Sequence, residues 1–161
     1  MDNVSLACNY PGTPAPGSIT VAAGDNFTAV YYFWLHPIGP MFVWLADCGE
    51  SCATFNATEG KWFKIWEAGL VEGTLEKGMW YQKIFQNWDG SPDKWTVTIP
   101  GNLKPGNYLI RHEIISIHIE NRPQFYPECA HLVVTGNGKL SPSEEYYARI
   151  PGVWSMNGRS L

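Results

Sequence analysis

The chain has 161 residues, of which 45% are apolar, 14% aromatic and 16% charged, with a formal charge of −4 at neutral pH. That length suits one domain burying roughly 70% of the surface its unfolded form exposes, and excludes both a multidomain assembly and a disordered tail. Eleven Lys plus Arg against fifteen Asp plus Glu, with no basic run, exclude nucleic acid as a partner. The longest apolar stretches, 28–35 and 41–46, fall far short of the ~20 residues that span a bilayer, so no membrane span is expected.

In chain order, residues 10–17 are rich in Pro and Gly and read as a loop. Residues 18–22 predict a short strand ended by Gly24-Asp25, and 26–35 a long aromatic and β-branched strand that His36-Pro37-Ile38-Gly39-Pro40 must break. Residues 41–45 resume as a strand. In 62–67 the spacing of Trp62, Ile65 and Trp66 also fits a helix, but glycines at 60, 69, 73 and 78 leave too little uninterrupted length, so a strand is expected. Strands follow at 95–99, at 107–119 (the longest β-prone segment) and at 131–135. Residues 141–149 predict one helical turn with a serine cap, ended by Pro151-Gly152. No boundary or repeat divides the chain, so residues 1–161 are expected to form one all-β domain, a two-sheet sandwich of about seven short strands. Eight Trp, eight Tyr and seven Phe supply rings for its core. Exposed rings would also suit carbohydrate, whose C–H faces stack on them.

Cysteines stand at Cys8, Cys48, Cys52 and Cys129, and three pairings are open. Structural zinc sites usually draw their ligands from two close pairs, and only Cys48 and Cys52 are close, so disulfides are the better reading. Three N-x-[ST] sequons make Asn3, Asn26 and Asn56 glycosylation candidates and agree with an extracellular, secreted protein. No signal peptide opens the chain as given.

On strand 107–119 the two-residue period places His112, Ile114, Ser116 and His118 on one face, and Arg111, Glu113, Ile115 and Ile117 on the other. Gln124 and Tyr126 share a face soon after, so His118, Gln124 and Tyr126 are expected to gather. The run Arg111-His112-Glu113-Ile114-Ile115-Ser116-Ile117-His118, followed by Gln124-Phe125-Tyr126-Pro127-Glu128-Cys129, resembles the fungal lytic polysaccharide monooxygenases of auxiliary activity family nine, formerly glycoside hydrolase family sixty-one. Further pieces resemble the family in the same order, among them Ala7-Cys8-Asn9, Leu45-Ala46-Asp47-Cys48, Trp62-Phe63-Lys64-Ile65, Trp95-Thr96-Val97-Thr98-Ile99-Pro100 and Pro105-Gly106-Asn107-Tyr108.

The resemblance implies an immunoglobulin- or fibronectin-III-like β-sandwich with long loops, bearing copper on a flat face that docks onto cellulose or a related β-glucan. The family's copper is held by the amino group and imidazole of an N-terminal histidine, a second imidazole and an axial tyrosine, a donor set that suits copper. Carried over by motif, His36 is the second imidazole and Tyr126 the axial ligand. His118 and Gln124 are the outer-sphere pair assigned to catalysis, whose hydrogen bonds tune the metal; no separate cofactor-binding residues are assigned. The resemblance also implies disulfides Cys8–Cys129 and Cys48–Cys52. Relative to the family pattern, the N-terminal histidine and the first strand are absent from this sequence, so a truncated domain with weak or absent copper binding and impaired oxidative cleavage is expected. The gap is expected to be met by a rearranged segment 1–10, by a homodimer through the exposed sheet edge, or by lower stability. The alternative is a non-catalytic module that binds polysaccharide or a protein. A third reading, hydrolysis by carboxylates drawn from Glu67, Glu113, Glu120 and Glu128, is the weakest.

Overall fold

A computed structural model describes residues 3–10, 12–119 and 122–154. After a short helix α1 (Ser5–Cys8), the strands are β1 (Ile19–Ala22), β2 (Asn26–Tyr31), β3 (Met41–Gly49), β4 (Trp62–Ala68), β5 (Leu70–Glu72), β6 (Met79–Trp80), β7 (Asp93–Thr98), β8 (Gly106–Ser116), β9 (Gln124–Thr135) and β10 (Tyr147–Ala148), with helix α2 (Tyr81–Phe85) after β6. Six strands form one sheet in the order β1-β9-β8-β3-β4-β10; β2 pairs with β7, and β5 with β6. The β-sandwich follows from the burial of both faces of the large sheet. β3 from Met41 to Ala46 and β8 from Tyr108 to Ser116 are buried residue after residue, as expected for strands covered on both sides.

On one face, Met41, Val43, Leu45, Ile110, Ile114 and Leu132 meet Trp95 and Val97 of β7 and Phe85 of α2. β7 shows the period of two plainly: Asp93, Trp95 and Val97 are buried, while Lys94, Thr96 and Thr98 are exposed. On the other face, Phe42, Trp44, Trp62, Leu109 and Ile115 are covered by Leu6 and Cys8, by Phe55 and Ala57, and by Ala148, Ile150, Val153 and Trp154. Arg111 and Glu113 lie in this second layer, both fully buried. Arg111 donates to the carbonyls of Ala7 (2.8 Å) and Leu6 (2.6 Å) and to Glu113 Oε1 (2.7 Å). Disulfides Cys8–Cys129 and Cys48–Cys52 tie α1 to β9 and close the turn after β3.

Several boundaries depart from the expected ones. The strand expected over 26–35 stops at Tyr31, because Trp34 turns inward and becomes part of the core beneath the following loop. The strand expected over 131–135 begins at Gln124, and the one expected over 107–119 stops at Ser116. Between residues 141 and 149 there is a single 3₁₀ turn, Glu144–Tyr146; Ser143 precedes it, but its hydroxyl bonds Glu145 rather than capping the turn. Met1 and Asp2 of the segment expected to fill the gap lie outside the described residues. The described remainder packs through α1 against β9 and Arg111, and among the described residues β2 pairs only with β7.

Candidate metal centre

The site forms where the β2–β3 loop crosses the end of β8 and the start of β9. The loop is stitched to β8 by Ile115 N–H donating to Pro40 O and Ile117 N–H donating to Ile38 O, each at 3.0 Å. Gly39 makes this approach possible: its φ is +137°, and a Cβ there would lie 1.9 Å from Ile115 O. Trp34 Nε1 donates to the His36 carbonyl at 2.8 Å and to Gln82 Oε1 at 3.2 Å. From α2 and just past its end, Gln82 Nε2 donates to Ile115 O (2.9 Å), and Gln86 Nε2 to the carbonyls of Trp34 (3.3 Å) and His36 (3.2 Å). The His36 carbonyl is therefore held by two side chains, Trp34 and Gln86, with Gln82 bracing Trp34 and the Ile115 carbonyl beside them, and none of the three was singled out from the sequence.

The side chains gather above this frame. His36 Nε2 lies 2.8 Å from the Tyr126 hydroxyl, which donates to Gln124 Oε1 at 3.2 Å. With the phenol's one proton pointed at Gln124 Oε1, the contact is filled by the Nε2–H tautomer of His36; Nε2 becomes a donor toward a metal in the other tautomer, with the proton on Nδ1. Trp34 packs edge-on against both rings, with centroids 5.2 Å from His36 and 5.0 Å from Tyr126. The His118 ring stacks on His36 at 4.7 Å, and its Nδ1 is hydrogen-bonded to Ser116 Oγ. His118 lies beyond the end of β8, and the Ser116 contact keeps it beside the site. Register explains the rest: Tyr126 stands opposite Ile114, and Gln124 opposite Ser116, on one face of the β8–β9 ladder. Burial, and secondarily the neighbouring His118, hold the His36 imidazole below its ordinary pKa. It is thus biased toward the neutral form, the form in which an imidazole binds a metal.

The chemistry of the donors suits copper in part. An imidazole nitrogen and a phenol oxygen converge on one point, but among the described residues no group of three His, Cys, Asp or Glu side chains could hold a metal ion. These two donors, hydrogen-bonded to each other, do not by themselves complete a copper site.

Of the carboxylates considered for hydrolysis, Glu113 is buried against Arg111, Glu67 pairs with Lys64 (2.6 Å) and Glu128 accepts from Asn9 (2.8 Å). Glu120 lies outside the described residues. The three described acids are each engaged on separate structural partners. Asn3, Asn26 and Asn56 are all exposed.

The family model for auxiliary activity family 9, formerly GH61, matches residues 1–161. The chain belongs to this family. Members are secreted copper enzymes that act on cellulose and related polysaccharides. The chain is 44% identical over 160 residues to AA9 family lytic polysaccharide monooxygenase B of Heterobasidion irregulare, an alignment covering 96% of this chain and 64% of that protein. It superposes on the crystal structure of HiLPMO9B with a TM-score of 0.90 at 43% identity, covering 96% of this chain and 69% of that one. A cellulose-active polysaccharide monooxygenase from M. thermophila matches with a TM-score of 0.88 at 37% identity, over 98% of this chain and 70% of its own. The chain thus spans between about half and two thirds of the length of curated relatives it matches, 64% and 49% for two of them.

Proposed function

We propose that this chain carries part of a lytic polysaccharide monooxygenase site for cellulose or a related β-glucan. His36 Nε2 and Tyr126 Oη are its donors toward copper, and His118 and Gln124 are its outer-sphere groups. The observation that carries this reading is the convergence of His36 Nε2 and the Tyr126 hydroxyl at 2.8 Å, framed by Gln124 and His118. Each side chain has a definite task. Trp34, Gln82 and Gln86 hold the His36 loop; Gln124 orients the Tyr126 hydroxyl; Ser116 engages His118 Nδ1 and leaves its Nε2 free of that contact. Two donors alone make a weak site, so the 161-residue polypeptide by itself is expected to hold copper weakly and to oxidise cellulose poorly.

A second reading, polysaccharide binding without chemistry, is favoured by the exposed Tyr32 and Phe33, four and three residues before His36. Rings on the loop that leads into the site can stack on sugar without copper. Copper titration followed by electron paramagnetic resonance separates the two: the proposed site binds one weakly held Cu(II) with imidazole coupling that disappears in His36→Ala. Copper bound with unchanged affinity and spectrum in that variant would remove His36 from the site.

A further inference from the structure

The last residue of β8 is a serine whose side chain has a single partner. Ser116 is 0% exposed, and the one hydrogen bond its hydroxyl makes among the described residues is to His118 Nδ1. The backbone around it is fixed from both sides. Ile115 N–H donates to Pro40 O and Ile117 N–H to Ile38 O, each at 3.0 Å, Ile115 O accepts from Gln82 Nε2 at 2.9 Å, and Ser116 stands opposite Gln124 in the β8–β9 register. His118, by contrast, lies past the end of the ladder and is exposed, with its ring stacked on His36 at 4.7 Å. A rigidly placed, buried hydroxyl thus meets an imidazole that the sheet itself does not hold.

We propose that Ser116 is the positioning residue for His118, donating its proton to Nδ1 and so fixing the imidazole in its Nε2–H form; the inference rests on the reading of His118 as an outer-sphere group. Proton counting decides the direction of the bond. A hydroxyl has one proton, and a buried hydroxyl left without an acceptor loses its hydration with nothing in return. For Ser116 the acceptor at hand is His118 Nδ1; were Nδ1 the donor, the serine proton would have no acceptor among the described residues. A neutral imidazole that accepts at Nδ1 carries its hydrogen on Nε2. The two ring nitrogens point in nearly opposite directions, so with Nδ1 tied back to β8 the Nε2–H is aimed away from the sheet, on a ring held against His36. His118 is thereby a hydrogen-bond donor at the edge of the site, whereas Gln124 Oε1 is already engaged by the Tyr126 hydroxyl. Without the Ser116 hydroxyl, stacking on His36 would remain, and stacking does not distinguish one ring nitrogen from the other.

The test reads the full chain without metal, so its outcome is separate from that of the copper titration. Long-range proton–nitrogen correlation spectra of the histidines, recorded above the ordinary imidazole pKa so that the rings are neutral, report which nitrogen bears the hydrogen. In the wild-type chain His118 is expected to be protonated at Nε2, with the other tautomer at most about a tenth of it. Ser116→Ala should let the two forms mix and weaken the ring-current shifts that His118 and His36 exert on each other, while Ser116→Thr, which keeps the hydroxyl, restores both. Dispersed resonances of His112 and His131 show that each variant is folded. A wild-type His118 protonated at Nδ1, a folded Ser116→Ala chain with unchanged tautomer and ring-current shifts, or failure of a folded Ser116→Thr chain to restore them would each overturn the proposal. The expected pattern in a chain that binds no copper would sink the metal reading and leave the hold of Ser116 on His118 standing.

Discussion

Replacing Glu113 by glutamine should be the most damaging single-atom change in this fold. The carboxylate is fully buried and accepts from Arg111 Nη2 at 2.7 Å, from Trp154 Nε1 at 3.1 and 3.2 Å and from Trp44 Nε1 at 3.3 Å. Arg111, equally buried, reaches on to the Leu6 and Ala7 carbonyls and already has an unpartnered Nη1. Glu113→Gln keeps the shape, removes the charge and leaves a guanidinium buried without a counter-ion. Breaking a buried pair in this way costs about 3–5 kcal/mol. The same change loosens α1, because the arginine that the acid positions is the group holding the helix carbonyls. Urea unfolding of Glu113→Gln, Arg111→Met and the double variant forms the assay. Each single change is expected to cost about 3–5 kcal/mol, and the double variant should cost less than their sum by about 2 kcal/mol or more, since removing both charges leaves neither stranded. A loss below about 1 kcal/mol for Glu113→Gln, or strict additivity, would refute the claim that this pair links the sheet to α1.

Further outcomes follow from the same structure. Burial lowers the His112 pKa from 6.5 to about 4, so the unfolded chain takes up this proton first. Stability from this group is full above pH 6.5 and falls as pH drops toward 4, by up to about 3 kcal/mol, and His112→Leu should flatten that part of the pH profile in thermal melts. Replacing Cys8 and Cys129 by alanine opens a link across 121 residues and should cost about 5 kcal/mol in the chain-entropy account, against about 2 kcal/mol for Cys48–Cys52, as chemical denaturation of the two variants can compare. Gly39→Ala should cost at least about 2 kcal/mol and shift the His36 imidazole resonances, because the added carbon meets the Ile115 carbonyl; nuclear magnetic resonance of the histidines checks both the fold and the site.

The gathering of the β8–β9 residues was legible from strand periodicity, whereas His36 and the roles assigned to the four site residues came from the family resemblance alone. Alternation along β8 and β9 placed His112, Ile114 and Ser116 together and Gln124 beside Tyr126, and the register keeps them so. The extent of β9 was not legible: a strand was expected only over 131–135, and the observed strand runs through Pro127, which has no N–H for a ladder. In the fold it sits where β9 has no outer neighbour among the described residues, β1 pairing only from Leu132 onward, and a proline is tolerated at such an edge. Residues 32–35 read as strand from their aromatic character, but Trp34 is spent on the His36 carbonyl and the Tyr126 ring. The glutamines that hold this loop act across 46 or more positions of sequence, a distance over which no local pattern connects them to His36.

The account turns on whether two donors sustain oxidation, and mass spectrometry of products from amorphous cellulose, with copper and ascorbate, tests it most directly when run beside a pull-down on the same cellulose. Scarce oxidised oligosaccharides that need the reductant and fall further in His36→Ala, His118→Ala and Gln124→Ala, with cellulose binding retained, are the predicted result. Abundant aldonic-acid or 4-ketoaldose products would contradict the impaired site, and hydrolytic products formed without reductant would contradict a copper site altogether.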